Sequence, residues 1–272
     1  MTITAEIIAD SNSPDGARLT TILTTAPRYI HAEMLRHRIF SSSVSSSRAI
    51  PVKKLVAGFD VDPVFPTRWG KNQPGMQARE EVTDDVREKA LTIWMKASRA
   101  ARDAALALEA LGVAKEISNR LIEPYIHVRH LITATEWNGF FALRDHPDAQ
   151  PEIQELARAM KAAMNASTPE LLYPGEWHLP FIYDDKHLEP IVLRKMSAAR
   201  CARVSYLTHD NRKPSVDEDL ALFDRLVKAD PPHASPTEHQ ATPDVATRGG
   251  WAEPKLHGNF VGFIQFRKLL GI

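Results

Sequence analysis

The sequence predicts an α+β protein, rich in helix and carrying a small number of strands. Three observations lead there. Residues 18–25, RLTTILTT, are β-branched and alternate in polarity, as a half-buried strand does. Residues 126–134 have the same strand-like character. Between them, Val86, Ala90, Ile93, Trp94, Ala97, Ala101, Ala104, Leu108 and Leu111 recur at three- and four-residue steps, which is one apolar face of a long helix over 83–111.

The other elements follow in chain order. Pro27 suits the first turn of a helix, where its missing N–H costs nothing, and the helix would run over 28–38. A serine run, SSSVSSSR, follows at 41–48. Residues 51–80 hold Pro51, Pro63, Pro66, Pro74, Gly58, Gly70 and Gly75 and read as a long loop. The helix at 83–111 would be roughly 40 Å long at ~1.5 Å per residue. Thr83 or Asp84 would cap it and Gly112 would end it. Further helices are expected at 114–122, 135–144, 150–166 and 216–229. Residues 197–206, SAARCARVSY, read as a strand or a short helix. The expected organisation is a core over 1–168, a linker over 169–180, and a further segment over 181–272.

Composition narrows the function. The 272 residues carry 34 Lys plus Arg against 34 Asp plus Glu. That balance argues against a general nucleic-acid binder, which shows a basic excess. The single cysteine, Cys201, cannot form an internal disulfide, which fits a reducing, cytoplasmic setting. No apolar run approaches bilayer length, and the N-terminus lacks a secretory pattern. HASPTEHQ at 233–240 holds two histidines and a glutamate but not the HExxH spacing, and no paired Cys/His framework exists, so no metal is expected. Gly-rich dinucleotide and Walker signatures are also absent.

Several groups of residues carry candidate chemistry. Arg36-His37-Arg38 precede the serine run, and Arg48 closes it. Arginine forks match phosphate oxygens, and a turn of serines offers N–H and O–H donors to an anion. The competing reading is a solvated helix end followed by a flexible linker, and Arg48 at the far end favours binding. Arg120 precedes a proline turn. Arg144 ends an apolar helical turn, with Asp145, His146 and Asp148 after it, which also suits a helix end held by ion pairs.

These motifs resemble the flavin-dependent thymidylate synthases. The family pattern reads here as Ala26-Pro27, Glu33, Arg36-His37-Arg38, Ser41, Ser46 and Arg48, then Leu143-Arg144, Ala149-Gln150 and Glu152-Ile153. Two further family signatures, ARVSY at 202–206 and SPTEH at 235–239, follow these motifs instead of preceding them. The order resembles a circular permutation, in which 181–272 completes the fold begun by 1–168. The chain departs from the family at Glu33, where a glutamine is usual, at Ser43-Val44, where Asn-Glu is usual, and at Gly139, with Asn138 one position away.

The resemblance implies helices packed on a mainly antiparallel sheet. It also implies transfer of a one-carbon unit from 5,10-methylenetetrahydrofolate to C5 of dUMP, with FAD and NADPH. The implied dUMP residues are Glu33, Arg36, Ser45, Ser46, Ser47, Arg48, Arg120 and Arg144, with Arg144 activating the uracil. The implied FAD residues are Arg36, His37, Arg38, Thr133, Ala134, Thr135, Asn138 and His239. A homotetramer with sites between subunits is implied, so that the Arg-His-Arg turn and Arg144 can come from different chains. Cys201 lacks the neighbours of a catalytic thiol and reads as a small buried residue. Two alternatives stay open: 5-hydroxymethylation of dUMP or dCMP on the same scaffold, and a non-catalytic flavin- or nucleotide-binding homologue.

Overall fold

The computed structural model describes residues 1–75, 78–185, 187–204 and 214–272. A five-stranded sheet lies at its centre, in the order β3-β4-β2-β1-β5. Its strands are β1 (Thr4–Asn12), β2 (Arg18–Pro27), β3 (Ser41–Val44), β4 (His127–Ala134) and β5 (Glu170–Leu171). All pairings are antiparallel except β1 with the short β5. The helices are α1 (His31–Met34), α2 (Val52–Val61), α3 (Asp84–Ala110), α4 (Lys115–Ser118), α5 (Asn138–Arg144), α6 (Pro151–Ala166), α7 (Pro190–Ala202), α8 (Val216–Val227) and α9 (Phe266–Leu270). Small strands β6 (Ala241–Pro243) and β9 (Phe263–Gln265) pair with each other, as do β7 (Ala246–Thr247) and β8 (Gly250–Trp251). The α+β class and the mainly antiparallel sheet are as the sequence implies.

Alternation along β2 and β4 sends successive side chains to opposite faces of the sheet. Ile22 and Ile132 point to α6, where they pack with Ile153, Leu156 and Met160. Leu23 and Leu131 point to the other face, where Cys201 and Val204 cover them. Leu19 meets Ala241, Phe260 and Phe263. The C-terminal segment is therefore the second cover of the sheet, seated opposite α6. Its helices α7 and α8 are joined by the buried Asp219, which accepts from Arg200 Nε at 2.8 Å and Arg203 Nε at 3.1 Å. Ser215 caps α8 in a reciprocal capping box with Glu218. Of ARVSY, residues 202–204 are described and Ser205 and Tyr206 lie outside the described residues.

Three local expectations need correction. Residues 28–38 do not form one helix: a 3-10 turn over Arg28–Ile30 leads into the four-residue α1, and the chain then turns through Arg36 and Arg38. Residues 51–80 are not all loop, because α2 occupies Val52–Val61. Val52, Val56 and Phe59 lie three and four residues apart and bury against Ala105, Ile122 and Ile126, which outweighs the cost of Gly58 within the helix. The competing linker reading of the serine run is excluded, since Ser41–Val44 pair with β4. The nominal core stripe of α3 is also misplaced. Ser98 and Ala105 are the buried positions, while Val86, Ile93 and Leu111 are exposed. Gly112, with φ +80°, ends the helix as expected. Among the described residues no helix is long and apolar enough to cross a membrane.

Candidate active site

The residues singled out by sequence fall into two clusters. The first is centred on Arg144, at the last position of α5. Its Nη1 pairs with Glu33 Oε2 at 2.6 Å, and Nη2 donates to the Glu33 carbonyl oxygen at 3.3 Å. Its Nε donates to His37 Nε2 at 3.1 Å. An arginine N–H is always a donor, so His37 accepts at Nε2 and carries its proton on Nδ1. Burial, followed by the neighbouring Arg144 charge, lowers the His37 pKa from its ordinary value. The imidazole is held edge-on to Phe140, with centroids 5.0 Å apart. Arg36 and Arg38 flank it on the surface, and among the described residues no carboxylate pairs with either.

The second cluster is centred on Glu123. Arg28 Nη2 approaches its carboxylate at 3.2 Å, Arg120 Nη1 donates to both its oxygens at 3.2 Å, and Ser47 Oγ donates to it as well. Asn119 Nδ2 donates to the Ser47 carbonyl at 2.7 Å and to that of Ile50 at 2.9 Å, which fixes the serine turn. Ser45 is tied to β4, accepting from Arg129 N at 2.9 Å. Ser46 is half-buried, and Arg48 reaches Glu116 only at 3.9 Å. Sequence reasoning missed Arg28, Asn119 and Glu123. Apart from the Arg120–Glu123 pair, three residues apart, their contacts reach across 69 to 95 residues of chain, for which the sequence carries no local signal.

The remaining sites are distributed as follows. Asn138 is exposed, and Thr135 is half-buried with its Oγ1 accepting from Val261 N at 2.9 Å. Thr133, Ala134 and His239 have no exposed surface within the protomer. The imidazole of His239 is engaged on both nitrogens, by Thr133 and Ser43. Among the described residues no group of three His, Cys, Asp or Glu side chains gathers as metal ligands would. Glu238 is paired with Arg267. Cys201 is fully buried, and burial pushes its thiol far above the ordinary range.

The family model for the thymidylate synthase complementing protein matches residues 16–170, over half of the chain. The chain belongs to that family, the flavin-dependent thymidylate synthases. Both clusters, and the motifs that carry them, lie inside the matched span. Two crystal structures of the UMP/dUMP methylase PolB from Streptomyces cacaoi, bound with 5-Br dUMP and 5-Br UMP, are also similar, each with TM-score 0.49 and 19% identity. They cover 60% of this chain and 90% and 88% of their own. No curated protein matches this chain. A flavin-dependent thymidylate synthase has no need of a thiol nucleophile, and the buried Cys201 is consistent with that. The family resemblance allowed the Arg-His-Arg turn and Arg144 to come from different chains, but here one protomer brings His37 and Arg144 into contact.

Proposed function

We propose that this member of the family transfers a one-carbon unit from 5,10-methylenetetrahydrofolate to C5 of dUMP, with reduction by NADPH through FAD. The observation that carries the proposal is Arg144, held at the Arg-His-Arg turn by Glu33 and His37. Uracil C5 is a poor nucleophile, and a buried, protonated thiol cannot activate it by addition to C6. The remaining route is electrostatic, with a fixed cation facing the charge that develops on the uracil carbonyls. Arg144 is fixed in this way, being only 15% exposed and bonded through all three guanidinium nitrogens.

The phosphate of dUMP is assigned to the second cluster. Ser46, Ser47 and Arg48 form its turn, with Arg120 beside it, and the Ser45 hydroxyl anchors the turn to β4. Arg36 and Arg38 suit a pyrophosphate, because both are exposed and lack a carboxylate partner among the described residues. They would hold FAD there, with His37, Thr135 and Asn138 on the same surface, and bound FAD would supply hydride. Thr133, Ala134 and His239 would act behind that surface, since their side chains are enclosed.

No hydrogen bond among the described residues joins the two clusters within one protomer. The assembly in this proposal is a homotetramer in which one subunit completes the site of another, as the family resemblance implies. The exposed Val86, Ile93 and Leu111 on α3 offer an apolar face for such contact. Residues 181–272, which cover the sheet carrying the motifs, are read as the permuted completion of the same fold.

A second reading is favoured by Glu33. The carboxylate beside Arg144 neutralises part of its charge, and a carboxylate accepts well from the 4-amino group of cytosine. Hydroxymethylation or methylation of dCMP is the corresponding reaction. Purified protein supplied with methylenetetrahydrofolate and NADPH should be incubated with dUMP and, separately, with dCMP, and the nucleotide products weighed. A gain of one methyl on dUMP supports the first reading, and a modified dCMP supports the second. A colourless protein that modifies neither would overturn both.

A further inference from the structure

Six buried side chains, each from a different segment, form one unbroken line of hydrogen bonds. Ser11 Oγ meets His178 Nδ1 at 2.8 Å, and His178 Nε2 meets Thr21 Oγ1 at 2.7 Å. Thr21 Oγ1 meets Thr133 Oγ1 at 2.7 Å, and Thr133 Oγ1 meets His239 Nδ1 at 2.8 Å. His239 Nε2 then meets Ser43 Oγ at 2.9 Å. The line runs along the sheet face covered by the C-terminal segment, through β1, β2, β4 and β3. Ser43 is the most exposed member, at 7%. Among the described residues these side chains have no other hydrogen-bond partner.

We propose that this line is a single two-state relay, in which His178 and His239 always carry the same tautomer and a reversal at one end is transmitted across the sheet to the other. The argument is a count of hydrogens. Each hydroxyl has one hydrogen, and each neutral imidazole has one N–H and one bare nitrogen. Burial holds both imidazoles near a pKa of about 3, so both are neutral at physiological pH. Six hydrogens therefore serve five bonds, and one hydroxyl keeps a spare hydrogen.

Four arrangements make every bond, one for each hydroxyl that can hold the spare hydrogen, and only two of them leave it at an end, where Ser11 and Ser43 keep some exposed surface while Thr21 and Thr133 have none. In one, Ser11 donates to His178, which donates from Nε2 to Thr21, and so on until His239 donates from Nε2 to Ser43. Both histidines are then Nε2–H, and the surplus hydrogen is on Ser43. In the other, every donor and acceptor is exchanged, both histidines are Nδ1–H, and the surplus is on Ser11. With His178 as Nδ1–H and His239 as Nε2–H, no hydrogen lies between the Thr21 and Thr133 oxygens at 2.7 Å; with the reverse pair every bond is made, but the spare hydrogen is stranded without an acceptor on one of the two fully enclosed threonines. An unmade bond or an unpaired buried donor of that kind costs about 1–3 kcal/mol, which corresponds to roughly a fivefold to hundredfold bias against the mixed states.

The relay has a consequence for the site. Ser43 stands two residues before Ser45, where the serine turn is tied to β4. Away from His239, its hydroxyl can donate in the first state, and in the second, with its hydrogen given to His239, it can only accept. His178 comes from the segment after β5 and His239 from the turn before β6, so the polarity offered at β3 is linked to the docking of both. Thr133 and His239 are positioning residues in this scheme, and the inference stands whichever nucleotide is modified.

Neutron diffraction from crystals of the intact, deuterium-exchanged protein tests it directly. The expected result is a deuteron on the same ring nitrogen of His178 and His239, with one deuteron between the two threonine oxygens. Opposite tautomers, or a doubly protonated ring on either residue at neutral pH, would overturn the proposal without any variant. In solution, 15N spectra of the imidazoles should show both rings in one tautomer. In Thr133→Val, which removes the central hydroxyl, the His239 ring should lose its preference while His178 keeps a partner on each nitrogen. If His239 holds its tautomer unchanged in that variant, the coupling is refuted. If Thr133→Val does not fold, Thr133→Ser, which retains the hydroxyl, must show the native tautomers in both rings for the relay to stand.

Discussion

Lowering the pH from 7 to 5 should remove much of the stability of this protein, and the structure sets the size of the loss. His130, His178 and His239 are buried, and desolvation holds each near a pKa of about 3. In the unfolded chain each returns to 6.5. The folded values lie below the unfolded ones, so the contribution to stability is complete above pH 6.5 and is lost as pH falls towards 3. At pH 5 the unfolded chain binds nearly one more proton per histidine than the native state. Each site then favours unfolding by about 2 kcal/mol relative to pH 7, and three sites by about 6 kcal/mol. That is comparable with the whole stability of an ordinary domain, about 5–15 kcal/mol. The result at pH 5 requires only that the native values lie well below 5. Urea unfolding followed by circular dichroism at pH 5, 6 and 7 measures the effect, and His239→Gln should reduce the slope by about a third. A stability constant to within about 1 kcal/mol over this range would refute the reasoning, because the three imidazoles would then be protonated or hydrated in the native state.

Further outcomes follow from the two clusters. Arg144→Ala should lower turnover about a hundredfold or more at saturating nucleotide, and Arg48→Ala should chiefly raise KM; steady-state kinetics separates the two. Arg38→Ala should release flavin while the fold survives, and full absorbance near roughly 450 nm in the purified variant would remove Arg38 from the cofactor surface. Cys201→Ser should leave turnover nearly intact, since Gln240 Nε2 and Ser197 already surround the sulfur with polar groups. Loss of activity in a folded Cys201→Ser protein would point to covalent chemistry.

What was legible in the sequence is what depends on near neighbours in the chain. The helical period over 84–110, the strand character of β2 and β4 and the Gly112 stop are each written within a few residues, and each formed as read. The family motifs are also local strings, so Arg144, His37 and the serine turn could be picked out before any fold was known. The helix α2 was hidden because Pro51, Gly58 and Pro63 are punctuation in a local reading. Its apolar face becomes decisive only once Ala105, Ile122 and Ile126 arrive to cover it.

The tertiary structure decided everything that depends on distant partners. Period alone states that α3 is amphipathic, but which stripe is covered depends on α2 and the turns after α4, and that left Ile93 and Leu111 outside. Glu33 joins Arg144 across 111 residues, and Ser43 joins His239 across 196. A histidine in SPTEH carries the same letters whether it faces a flavin or lies inside the sheet. Burial, and the single set of hydrogen bonds that a buried imidazole can satisfy, are properties of the packed chain. The sequence therefore determined the elements and the residues capable of chemistry, while the packing of remote segments determined which of those residues meet.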